Sequence, residues 1–249
     1  MEFIPIESIF GTLQLLLSIF IAFRLYGSMK KNPESLEVRY FFYTFVLLCF
    51  TFLFSAVSII STISFRVDFL VSAINIIGRG LLLLSIMFFA YIPLNILKME
   101  FWKGFLPVFI LIAAFLSNMV ALMSLFDYPR TPVARMGRFI IQMHRGDTYT
   151  RVGLSIIGLV AIFSLILALV NYYKIIKGKD PQDYVFRRGF LILSAGIFFL
   201  LGILFNYFIT LFLPTAGRIA SEILYTGGLI FFLSSILYKR KIVVPGKSI

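Results

Sequence analysis

Seven apolar blocks constrain this 249-residue chain more than any other feature. They run from about Ile6 to Tyr26, Val38 to Ile63, Phe69 to Leu94, Phe105 to Phe126, Val152 to Tyr173, Gly189 to Leu213 and Ile219 to Tyr238. A helix needs about 20 apolar residues to cross a bilayer, and each block is at or near that length. Inside hydrocarbon the backbone must satisfy its own hydrogen bonds, so such blocks are helices or strands of a closed barrel. The blocks lack strict alternation, which removes the barrel. Composition agrees: 60% of residues are hydrophobic and 14% charged. A soluble domain of this size must also cover a wet surface and carries roughly 25% charge. The first block has no basic start and no small-residue cleavage site; Glu2 and Glu7 are its only early charges. It reads as a helix of the mature protein rather than a signal peptide.

The net charge is +12, and its distribution sets the expected topology. Arg24, Lys30, Lys31, Arg39, Lys98, Lys103, Lys174, Lys177, Lys179, Arg187, Arg188 and the tail Lys239, Arg240, Lys241 and Lys247 fall on one side. The other side holds Arg66, Arg130, Arg135, Arg138, Arg145, Arg151 and Arg218, all arginine. The positive-inside bias places the first set in the cytoplasm. The N-terminus is then outside and the C-terminus inside. This charge answers to lipid headgroups rather than to nucleic acid.

The one long connection, 127–150, falls outside. Thr131-Pro132 is a helix-start signal, and Val133, Met136, Phe139, Ile140 and Met143 recur at helical spacing. The segment is expected to form a short interfacial helix, on the outer leaflet or on the bundle. Arg130, Arg135, Arg138 and Arg145 give it a basic face, suited either to an anion or to lipid headgroups. His144 beside Arg145 reads as a surface residue or a sensor of pH near 6.

Shifting the chain by 148 residues aligns its two ends without a gap. Lys31-Asn32-Pro33-Glu34 falls on Lys179-Asp180-Pro181-Gln182, Arg39 on Arg187, Phe42 on Phe190, and Gly80-Leu81 on Gly228-Leu229. A shift of four helices preserves orientation. Helices one to three and five to seven then form parallel copies, a 3+1+3 pseudo-repeat with the fourth helix as linker. This plan resembles the broad grouping of microbial opsins, seven-helix receptor modules and the sugar transporters called SWEETs. It is also similar to the seven-helix sensor regions of prokaryotic histidine kinases. The resemblance spans the chain at the level of topology and transfers no functional residue. It implies a multi-pass protein of a prokaryotic plasma membrane. The last helix has no lysine to hold retinal, and Pro181-Gln182 sits in a loop rather than near a helix end.

Polar residues inside the blocks are the candidate site. Arg79, within Asn75-Ile76-Ile77-Gly78-Arg79-Gly80, is a costly intramembrane charge. Glu222 is the only acid within the blocks beyond the first. The two differ in depth by roughly 9 Å at 1.5 Å per residue, a distance a leaning arginine can cover. They are expected to meet across the bundle or to flank one polar cavity open to the outside. Asn75, Asn206 and Tyr225 are further candidates to line it, though such residues more often bond a neighbouring helix. One cysteine (Cys49) and one histidine make a multi-residue metal centre or bis-histidine haem unworkable. No zinc, phosphate-loop or catalytic-triad motif occurs, so neither an enzyme nor a bound cofactor is expected.

Three functions fit this reading. A receptor-like sensory or partner-binding module, without its own output domain, ranks first. It would pass a helix movement to a cytoplasmic or membrane signalling partner. A small-solute transporter of 3+1+3 type follows, and would need a polar path with a gate at each end. An accessory subunit of a membrane complex is third. The bilayer is the one partner every reading requires, and a second copy of the chain is compatible with all three.

Overall fold

In the computed structural model, residues 4–64, 68–127, 133–136, 139–142, 148–181 and 183–238 are described. Seven helices carry the fold: α1 (Ile6–Lys31), α2 (Leu36–Ser64), α3 (Asp68–Ile96), α4 (Glu100–Asp127), α5 (Thr148–Ile176), α6 (Tyr184–Tyr207) and α7 (Pro214–Leu237). All seven are long and apolar enough to cross a membrane. Their outward surface suits lipid: Phe23, Phe101, Leu111 and Phe115 are each more than half exposed.

The helices outrun the apolar blocks because hydrogen bonding continues into polar end turns. Ser35 starts α2 by accepting from the Val38 N–H at 3.4 Å. Asp183 starts α6 by accepting from the Val185 N–H at 3.0 Å. Both are N-cap residue types. Gly178, at φ +82, turns the chain after α5, a conformation glycine adopts without penalty. The sixth apolar block extends to Leu213, but α6 stops at Tyr207 and a 3-10 turn follows at Ile209–Leu211. Pro214 then opens α7, where its missing N–H costs nothing.

The packing forms a closed circuit. α1 packs on α2, α2 on α3, α3 on α5, α5 on α6, α6 on α7, and α7 returns to α1. α4 lies against α3 and α5 at the margin. Phe45 and Phe232 meet in the interior at 4.3 Å between ring centroids, joining α2 to α7. Phe89 of α3 packs on Tyr172 of α5 at 5.3 Å. Between them Thr44, Leu48, Ile86, Leu165, Gly196 and Phe199 help to line an apolar cavity of about 30 Å³.

The 127–150 connection departs from expectation. Where a short helix is expected, two antiparallel strands form, β2 (Val133–Met136) and β3 (Phe139–Gln142), with Met136 opposite Phe139. β1 (Ile4–Pro5) adds a parallel third strand, giving the order β1-β3-β2. A short helix is marginal without extensive packing, and Phe139-Ile140-Ile141 is a run of strand formers. Only Gly137 and Arg138 separate the strands, and a two-residue connection led by glycine suits a hairpin. Pro5 lies at the sheet edge, where a missing donor is tolerated. The sheet also places the start of α1 at the same end of the bundle as the α4–α5 connection.

Candidate functional site

At the sheet end of the bundle, three helices bring charged and amide side chains together out of contact with solvent. α1 supplies Glu7 in its first turn and Gln14 two turns deeper. α7 supplies Arg218, Glu222 and Thr226. α6 supplies Asn206 near its last residue. Glu7 is 2% exposed and Glu222 6%. Such burial of ions costs several kcal/mol each unless they are paired and hydrogen-bonded.

Arg218 is the hub. Its Nε lies 3.6 Å from Glu222 Oε1, one helical turn away on α7, and 3.9 Å from Glu7 Oε1 across the seam. Its Nη1 donates to Asn206 Oδ1 on α6. Gln14 pins the other side of the carboxylate: its Nε2 lies 2.9 Å from Glu222 Oε2, 3.1 Å from the Glu222 carbonyl oxygen and 3.2 Å from Thr226 Oγ1. Thr226 in turn donates to the Glu222 carbonyl at 2.9 Å. One arginine therefore serves two carboxylates, and one amide fixes the orientation of the second. Both ion-pair distances exceed direct hydrogen-bond length, and the buried Arg218 Nε makes no hydrogen bond.

Small residues admit this chemistry. On α1 the buried positions are Glu7, Gly11, Gln14, Ser18, Ile21, Ala22 and Leu25. Apart from Ala22, their alternating steps of four and three form a single stripe. On α6, Gly202 lies where a Cβ would sit 2.6 Å from the Tyr225 ring. Glycine there lets the Tyr225 ring approach α6 closely, beside the network.

Four of the expected site residues fall in or beside this region. Glu222 and Asn206 are members of it. Tyr225 is buried one turn further along α7. Arg79 is half-buried on α3, with the Tyr207 phenol within its electrostatic reach. The cation on Glu222 is Arg218 rather than Arg79. Asn75 lies on α3, but its side chain is outside the described residues. Of the expected outer basic face, Arg130, Arg138 and Arg145 lie outside the described residues, as do His144, Gln182 and the tail from Lys239, while Arg135 lies on β2.

The network also contains residues that the sequence reading passes over. Glu7 and Gln14 lie in the first apolar block, where their seven-residue spacing and the small residues between them are the available signal. Arg218 counts there only as a loop cation. Its i, i+4 spacing to Glu222 marks the pair once α7 is known to begin at Pro214.

A second polar cluster occupies the opposite end. Asn95 donates to Glu37 at 3.1 Å, and Lys103 donates to Asn95 at 3.1 Å and pairs with Glu100 at 2.7 Å. Arg187, near the start of α6, donates to the Tyr238 hydroxyl at 3.1 Å, and Tyr184 stacks on the Tyr238 ring. The far end of α7 is thus clasped by α6. Among the described residues no group of His, Cys, Asp and Glu side chains is placed to hold a metal ion.

The architecture defines a seven-helix bundle of membrane-spanning character. No protein-family profile matches the chain, and neither the curated proteins nor the solved structures contain a match.

Proposed function

We propose that this chain is a receptor-like seven-helix membrane module in a prokaryotic plasma membrane, with the sheet end outside and the tail in the cytoplasm. The observation that carries the reading is the buried network of Glu7, Gln14, Asn206, Arg218 and Glu222. It fastens the outer end of α7 to α1 and α6. A ligand or co-solute that engages Arg218 or Glu222 competes directly with those contacts. α7 is 24 residues long, about 36 Å at 1.5 Å per residue. Its inner end meets Arg187 and Tyr184 just before the basic tail. Loss of the outer contacts therefore shifts the inner clasp, and the tail offers that shift to a separate signalling partner.

The experiment places an environment-sensitive bimane at Leu237→Cys in a Cys49→Ser background, with the protein in nanodiscs. Arg218→Gln stands in for a ligand that releases the network. A shift in bimane emission between the two backgrounds is the expected result. Identical spectra mean that the outer network and the inner end of α7 are uncoupled, and the receptor reading is then abandoned.

We further infer that the chain is a 3+1+3 repeat. Support comes from the two proline turns, which are built alike at a spacing of 148. Ser35 N–H donates to Asn32 C=O as Asp183 N–H donates to Asp180 C=O. Ser35 and Asp183 then cap α2 and α6, and Arg39 and Arg187 each donate to a proline carbonyl, Pro33 and Pro181. The circuit of helices has the same two-fold character, with α3 on α5 matched by α7 on α1.

The paired proline turns favour a small-solute transporter of repeat architecture as the second reading. Solute-dependent labelling of the same buried position from both sides of the membrane distinguishes it from a receptor.

A further inference from the structure

Two seams join the first three helices to the last three through matched pairs, and they differ in chemistry. Among the described residues, the α3–α5 seam is mostly rings and aliphatic side chains: Phe89 lies on Tyr172, and Leu82, Ile86 and Leu165 meet around the cavity beside Ser85. The α1–α7 seam carries Glu7, Gln14, Arg218, Glu222 and Thr226. Under the 148-residue shift, Glu222 corresponds to Ile74, Arg218 to Leu70, Glu7 to Ser155 and Gln14 to Ile162. The charged set therefore stands at one seam and has no counterpart in sequence at the other.

This difference decides which seam can admit water. Parting rings and aliphatic side chains exposes apolar area, at about 25 cal/mol for each Å². Parting a hydrogen-bonded seam exchanges protein partners for water, and a hydrogen bond loses only about 1 kcal/mol net in that exchange, or about 1.5–3 kcal/mol where one partner is charged. The closed network is also incompletely engaged. Arg218 Nε is buried without a hydrogen bond, and its two carboxylates stand at 3.6 and 3.9 Å. A further parting of about 1–2 Å makes room for a bridging water between them. The seam lies at the end of the helices, so water reaches it without crossing the bundle.

We propose that the α1–α7 seam is the water-admitting cleft of this bundle, opening at the sheet end, and that the α3–α5 seam stays closed. The cleft takes water and small polar solutes as far as Ser18 and Thr226. The proposal holds for either functional reading, because it concerns which surface opens and not what the opening signals. It also stands without the repeat, since each seam is described by its own contacts.

Thiol accessibility tests it. Three single cysteines are placed in the full-length Cys49→Ser protein in nanodiscs, where both faces are open to reagent. Ser18→Cys and Thr226→Cys are conservative changes on α1 and α7, and both positions are buried. Ala161→Cys is the control, fully buried on α5 and 13 residues from the helix start at Thr148, as Ser18 is 12 from the start of α1 at Ile6. Modification by a charged methanethiosulfonate is followed with time, and a thermal melt confirms that each variant is folded. The expected result is modification of Ser18→Cys and Thr226→Cys at least ten-fold faster than Ala161→Cys, with further acceleration on adding Arg218→Gln. Equal rates at all three positions, fast or slow, overturn the proposal. So does faster reaction at Ala161→Cys.

Discussion

At the scale of single residues, the chemistry turns on Arg218. It lies beside two buried carboxylates, so its removal takes a counter-charge from both in a low-dielectric setting. Arg218→Met is expected to lower stability by about 3–5 kcal/mol, seen as a lower thermal midpoint in detergent. Arg218→Lys is expected to recover only part of the loss, because an ammonium lacks the guanidinium fork that also reaches Asn206. A midpoint unchanged by Arg218→Met would show that the carboxylates are hydrated or protonated and that the pairs contribute little. Gly202 offers a separate test of packing. A Cβ there would stand 2.6 Å from the Tyr225 ring, whereas at Gly80 it would meet nothing within 4 Å. Gly202→Ala is expected to cost about 1–3 kcal/mol as overpacking, and Gly80→Ala to leave the melt nearly unchanged. Glu222 and Asn206 are legible in sequence as polar interruptions of apolar blocks. Arg218 is not, because a charge next to a block boundary looks like a loop residue until the helix start is known.

At the scale of elements, the 133–142 segment separates local pattern from tertiary outcome. Its apolar residues fit a helical period, yet it pairs as strands. The directly opposed residues Ala134 and Ile141 provide a decisive test. In a hairpin such partners have Cα atoms about 4.5–5.5 Å apart, within disulfide range. In a helix, residues seven apart are about 10.5 Å apart along the axis. Ala134→Cys with Ile141→Cys, in a Cys49→Ser background, is therefore expected to oxidise spontaneously within one chain. A pair that stays reduced under mild oxidant would restore the helix. The membrane helices behave differently. Their existence follows from apolar length alone, and only their ends move, because capping residues such as Ser35 and Asp183 lie beyond the apolar blocks.

At the scale of the whole molecule, the helices form a circuit that closes through two seams. Fragments 1–127 and 128–249, each with whole helices, retain all the residues of both seams. Co-expressed, they are expected to co-purify in mild detergent, because helix association in membranes needs packed interfaces rather than chain continuity. Recovery of the fragments separately would show that the long connection, and not the seams, holds the halves together. The number of spanning helices was decided by sequence alone, since bilayer thickness and backbone hydrogen bonding leave an apolar block of about 20 residues few other folds. The partner of each buried charge was decided only by tertiary structure. A helix can rotate about its own axis without changing its local hydrogen bonds, so local sequence does not say which neighbour a side chain will face. Packing of α1 against α7 sets that rotation and brings Glu7 and Gln14 to Arg218 and Glu222.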